Sequence, residues 1–151
     1  MLVTNHVLSG AVIGATTRRI VPAFLLGIAS HFALDAVPHW GGWEGPPPLE
    51  VAVPDGLTGL AAMAAMTALA PRGRRAAVLA GMAGAALPDL DKPSKVFFGR
   101  SPFPRAVDWF HKVIQNEAPH RLTYELAVAV ACGAAAVGLL RGPAAGPRPA
   151  R

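Results

Sequence analysis

Histidine and aspartate recur in the segment SHFALDAVPHW, residues 30 to 40, at a spacing that suits a bound cation. His31, Asp35 and His39 stand at i, i+4 and i+8, which on an unbroken helix is one stripe. Imidazole nitrogens and a carboxylate on one stripe fit a divalent metal, zinc first, whose bonds to such groups are about 2.0 to 2.2 Å long. The bland alternative is a surface hydrogen bond between His31 and Asp35, and the apolar helix around them argues against it. Pro38 complicates the stripe. It disfavours helical geometry at Val37 and offers no N–H to Leu34, so a kink there would turn His39 elsewhere.

Three further segments carry groups of the same kind. LPDLDKP, residues 87 to 93, sets Asp89 and Asp91 two apart between prolines. Read as a loop, it lets both carboxylates face one cation; read blandly, it is a helix cap and a solvated turn. Asp89 is the better ligand because it directly follows an apolar run. FHKVIQNEAPHR, residues 110 to 121, supplies His111 and His120, which converge only if the chain bends at Pro119. His6 is a lone histidine near a helix start, where a structural role is the common one, but its placement beside the others makes it a further candidate. The metal-ligand set expected from sequence is therefore His31, Asp35, His39, Asp89 and His111, followed by His6 and His120. Asp91 or Asp55 is the candidate general base, and spacing alone does not choose between them.

The elements that must position these groups are helical. Residues 1–17, 20–34, 56–71, 76–88 and 126–140 lack a formally charged side chain and are rich in Ala, Leu, Val and Gly. Their lengths and runs such as LAAMAAMTALA favour helix over strand. The fold class expected is all-α: a compact, membrane-embedded bundle of about five main helices plus a short one near residues 104–116. Residues 1–141 form one domain, and 142–151 a disordered Pro/Ala/Arg tail. GGWEGPPPLEVAVP, residues 41–54, is expected as a loop or a re-entrant excursion, with Asp55 capping a helix that begins at Gly56. Thr4 or Asn5 is the expected cap of the first helix. Gly10 and Gly14 are expected to allow close helix packing, and Cys132 to be a small core residue.

Composition limits the function classes. Apolar residues make up 52% of the 151 and charged residues 15%, which excludes disorder and highly charged coiled coils. A single cysteine excludes an internal disulfide and CxxC chemistry. The net charge of +5 could mark a nucleic-acid partner. The arginines, however, separate into short turns without interleaved aromatics, so no nucleic-acid partner is expected. If the first helix starts outside a membrane, Arg18/Arg19, Arg72 to Arg75 and the carboxy-terminal arginines all fall inside, in keeping with the positive-inside rule. All five histidines, most carboxylates and Trp40, Trp43 and Trp109 then collect at the outer end. The segment from Asp89 to Glu125 departs from the rule with six Lys or Arg. Ionisable groups at membrane depth are costly and usually functional, although a polar helix end also arises from simple solvent exposure.

The short motifs together resemble a family. His6 and Gly10 as His-x-x-x-Gly, Ser30 to His39 as Ser-His-x-x-x-Asp-x-x-Pro-His, and Leu87 to Asp91 as Leu-Pro-Asp-x-Asp resemble the YdjM-like membrane-bound metal-dependent hydrolases, over roughly residues 1–125. The His31-x-x-x-Asp35 pair alone is similar to the zinc-ligand helix of the phospholipase C and P1 nuclease group. This resemblance implies a helical protein of a bacterial-type inner (cytoplasmic) membrane, with hydrolase activity. The chain departs from the pattern at Lys92, where the family often has His. HKVIQNEAPHR also replaces the family's His-Arg-Gly-x-Thr-His-Ser element. The expectation is zinc-assisted phosphoester hydrolysis by one or more ions at the extracytoplasmic end of the bundle, among membrane lipids. The rival from another class is a non-catalytic membrane scaffold with a structural metal or a partner-binding polar end.

Overall fold

Glycine and alanine, rather than large apolar side chains, bring the helices together. The computed structural model describes residues 1–43 and 47–142. Seven α-helices run in the order α1 (Val3–Thr17), α2 (Ile20–Ala36), α3 (Leu49–Leu69), α4 (Arg75–Ala86), α5 (Asp91–Phe98), α6 (Arg105–Ile114) and α7 (Leu122–Arg141). Short 3₁₀ turns precede α4 and α5, and the described residues contain no β-strand. The fold is all-α: five main helices and the short sixth lie over the runs the sequence marks, with α3 starting at Leu49 rather than Gly56, and α5 is a further helix the sequence reading did not place. The expected tail lies outside the described residues beyond Gly142, as do Glu44–Pro46 of the expected loop.

Helix α4 is the centre of the bundle and packs on both α1 and α2. A Cβ on Gly10 would strike the Gly81 backbone, one on Gly14 the backbone of Ala77 and Val78, and one on Gly84 the Phe24 carbonyl. Each helical glycine costs about 1 kcal/mol of helix propensity relative to alanine; here it allows backbone-to-backbone contact along a seam of small residues. Around this seam lies a core of Val7, Leu8, Ala11, Met66, Val78, Met82, Ala136 and Leu140, with Cys132 packed half-buried against it.

The outside is apolar. Leu25, Leu57, Leu60, Leu126 and Val130 are each more than half exposed. Helices α3 and α7 are long and apolar enough to cross a membrane, and only 11% of the apolar window in each is buried. At about 1.5 Å per residue, each spans roughly 30 Å. The arginine turns gather at one end: Arg75 Nε donates to the Ala70 carbonyl at 3.1 Å and Arg74 reaches the Leu139 carbonyl. The histidines and carboxylates gather at the other.

Four local expectations are corrected. Leu49–Pro54 is helical although Pro54, the sixth residue of α3, offers no N–H to the carbonyl of Glu50. Asp55 therefore does not cap α3. It lies within it and caps α1 from outside, accepting from Val3 N at 2.7 Å, Thr4 N at 3.1 Å and Thr4 Oγ1 at 2.7 Å. Neither Thr4 nor Asn5 caps α1, whose N-cap position is Leu2. LPDLDKP is not a loop: Leu87–Leu90 is a 3₁₀ turn leading into α5, with Pro93 in the first turn, where its missing N–H costs nothing.

Candidate metal centre

Helices α1, α2 and α6 and the Leu87–Leu90 turn each contribute side chains to one buried cluster. His31 and Asp35 sit one helical turn apart at the end of α2, with His31 Nε2 3.1 Å from Asp35 Oδ2. His111, from α6, places its Nε2 3.0 Å from the same oxygen and 3.0 Å from His31 Nε2. His6, from α1, stacks on His31 with ring centroids 3.9 Å apart, and its Nε2 lies 3.2 Å from Asp35 Oδ1. Asp89 lies 3.8 to 4.0 Å from the Nε2 atoms of His111, His31 and His6. His6, His31 and Asp35 are fully buried, and His111 and Asp89 nearly so.

Hydrogen bonds fix the direction of the His31 ring. Its Nδ1 stands 2.8 Å from the Ala85 carbonyl, which can only accept, so Nδ1 carries the proton. In the neutral ring Nε2 is then a bare lone pair, facing Asp35 Oδ2. Asp35 is held in turn by Gln115 Nε2 at 3.0 Å and by the Met1 amino group at 2.7 Å on Oδ1. Neither ring nitrogen of His6 makes a hydrogen bond, although both are buried.

Ligand atoms sharing one cation at about 2.0 to 2.2 Å stand roughly 3 to 3.5 Å apart. The His31, Asp35 and His111 atoms meet that spacing. Three buried groups can each hold a metal ion: His31, Asp35 and His111; His6, His31 and Asp89; and Asp89, Asp91 and His111. Burial works to raise the Asp89 carboxyl, but Lys92 and the adjacent histidines outweigh it and hold the group below the usual carboxylate range. Lys92 pairs directly with Asp89 Oδ1 and is itself raised: burial pulls it down, and the Asp89 charge more than offsets this.

The remaining expected residues divide. Asp91 is buried beside this cluster, with Oδ2 paired to Lys95 at 2.7 Å and Oδ1 without a partner. His39 stands apart, because α2 ends at Ala36 ahead of Pro38 and the stripe stops at Asp35. Its Nε2 meets Gln115 Oε1 at 3.1 Å and Glu117 Oε1 at 3.6 Å, and its backbone pairs with Asn116 and Ala118. His120 is exposed in the turn before α7, outside each of those groups. Asp55 is occupied at the start of α1.

Two supporting residues escape a motif reading. Gln115 bridges Asp35 and His39. Glu125 is 2% exposed and accepts from Leu2 N and Trp40 N at 3.2 Å and from Asn5 Nδ2. Its one sequence signal is a carboxylate in the first turn of an apolar helix.

No protein-family model, curated protein or solved structure matches this chain.

Proposed function

We propose that this chain is a membrane-embedded, metal-dependent phosphoester hydrolase, with zinc the first candidate ion. The proposed ligands are His31, Asp35 and His111, with His6 and Asp89 beside them. The observation that carries the metal is the direction of the His31 ring. With Nδ1 committed to Ala85, Nε2 is the ring nitrogen left to face a buried carboxylate oxygen, at 3.1 Å. In the neutral ring this sets two lone-pair acceptors side by side, a contact that a shared cation relieves, as a proton supplied by the His111 ring 3.0 Å away also would.

Membrane embedding is supported by the inversion of polarity: ionisable groups inside, leucine and valine outside. The arginine turns at the opposite end favour a centre on the extracytoplasmic side of an inner membrane. The motif likeness to the YdjM-like hydrolases points the same way.

An ion in this centre supplies Lewis acidity toward water and a phosphoryl oxygen. The residues do the rest. Lys92 holds Asp89 in place, Gln115 orients Asp35, and Asp91 Oδ1 is a buried acceptor without a partner that can take a proton from water. In the hydrolysis, the water oxygen bonds to phosphorus and the P–O bond to the alcohol breaks. One water proton ends on the departing alkoxide and the other stays with the phosphate or passes to solvent.

The test is metal content of the detergent-purified full chain, wild type beside the His31→Ala/Asp35→Ala double variant. About one or more zinc or manganese ions per chain, lost in the variant, supports the centre; a wild type without metal after reconstitution overturns it. Asp35→Asn then separates catalysis from scaffolding. Lost turnover on p-nitrophenyl phosphate with helicity kept supports the hydrolase, and loss of stability alone favours a structural ion.

A further inference from the structure

A cavity of about 490 Å³ opens beside the metal centre, between the start of α1, α3, the Trp40–Trp43 segment and α5. Its walls include Trp43, Val53, Leu57, Leu60, Val96 and Phe97. Of these, Val53, Leu57, Leu60 and Phe97 are more than half exposed, so the cavity opens sideways onto the apolar outside of the bundle. Its volume falls in the usual range of small-molecule sites, about 300 to 1,000 Å³.

The polar lining is unequal. Asp55 is occupied by α1, and Glu117 accepts from Gly42 N at 2.8 Å. Asp89 belongs to the metal centre, and its partner Lys92 is the cationic side chain on the lining. The cavity is thus a greasy trough with a lateral mouth and, at the metal centre, the Lys92 ammonium beside the Met1 amino group paired to Asp35.

We infer that this trough seats the hydrocarbon chain of a lipid phosphate, with Lys92 binding the phosphate beside the metal centre. The inference rests on the hydrolase reading above and names its substrate class. Charge favours an anion there: one divalent ion, the Lys92 ammonium and the Met1 amino group against the Asp35 and Asp89 carboxylates leave a net positive charge. Lys92, paired to Asp89 Oδ1, stands on the cavity lining, where a phosphate oxygen can share its ammonium with that carboxylate. An apolar chain needs no hydrogen bonds from the trough walls, whereas a peptide in the same place would leave backbone groups unpaired. Lys92 is a binding residue in this scheme, distinct from the histidines that would hold the ion.

The test uses the zinc-loaded full chain in phosphatidylcholine nanodiscs and dodecyl phosphate carrying a diazirine at its chain end. Saturable photolabelling within Val53–Leu60 and Pro93–Phe97, competed by unlabelled dodecyl phosphate and not by dodecanol, is the expected result. A Cβ on Gly56 meets nothing within 4 Å, so Gly56→Leu fills the trough without a backbone clash and should cut labelling at least fivefold. Ala52→Phe is a second filler should the first fail to fold. Lys92→Gln should weaken competition about tenfold and Lys92→Arg restore it. Labelling spread over the bundle surface, or unchanged in a folded filler variant, overturns the inference. Hydrolysis of p-nitrophenyl phosphate, run in parallel, separates the two readings. If that activity survives while labelling is diffuse, only the trough fails. If labelling is local and no phosphoester is cleaved, only the hydrolase reading fails.

Discussion

His31 Nδ1 donates to the main-chain carbonyl of Ala85 across 2.8 Å, so a backbone atom of α4 aims the imidazole of α2 at the centre. Ala85 lies in the last turn of α4, where carbonyls lack helical partners. The bond forms because Gly27 and Gly84 let the two backbones approach, so packing of the bundle and geometry of the centre are one problem.

Gly84→Ala should therefore weaken metal binding although it alters no ligand. Its methyl would strike the Phe24 carbonyl and push α2 from α4. The expected loss is about 10- to 100-fold in affinity, the scale seen when the groups that orient ligands are removed. Gly138→Ala, with open space at its Cβ, should leave affinity unchanged and stabilise α7 by up to about 1 kcal/mol. Competition with a metal-binding dye checks both.

His111→Ala and His39→Ala should behave differently. His111 shares Asp35 Oδ2 with His31, and its removal should lower metal affinity at least 100-fold. His39 touches Gln115 and Glu117 instead, so His39→Ala should keep affinity within about threefold. Equal losses in the two variants would place His39 among the ligands after all.

Asp55→Ala should cost stability and spare the centre. The carboxylate satisfies two backbone N–H groups at the start of α1, and losing a helix cap costs about 0.5 to 2 kcal/mol. Unfolding in detergent should show that loss with metal content intact. A turnover loss beyond the loss of folded protein would restore Asp55 as a candidate base.

Acid should loosen the loop that carries Trp40 and Trp43. The His39 contact holds the Glu117 carboxyl below its ordinary 4.5, with the Gly42 N–H helping and burial opposing. A lowered folded pKa contributes stability that is present above the ordinary value and lost as pH falls through the folded one. Thermal midpoints measured from pH 6 down to pH 3 should fall less in Glu117→Gln than in wild type. Parallel curves would show that the contact contributes nothing.

The helices were legible because their apolar runs are long and unbroken, and the gathering of His6, His31, Asp89 and His111 at one end followed from threading those runs back and forth. Helix α5 was not, because Pro88 and Pro93 read as breakers and only their places in first turns make them harmless. The start of α3 was hidden by Pro54, which also reads as a breaker although it sits inside the helix. The role of Asp55 was out of reach for another reason: its partners are 51 and 52 residues away, and no local pattern encodes a cap supplied by a different helix. Glu125 and Gln115 share that distance problem.

Helix α6, which brings His111, meets the main bundle chiefly through α2. Along the chain, His6, His31, Asp35 and Asp89 all precede it. An ion shared by His111 with His31 and Asp35 would therefore rivet a lightly attached helix to the rest of the bundle.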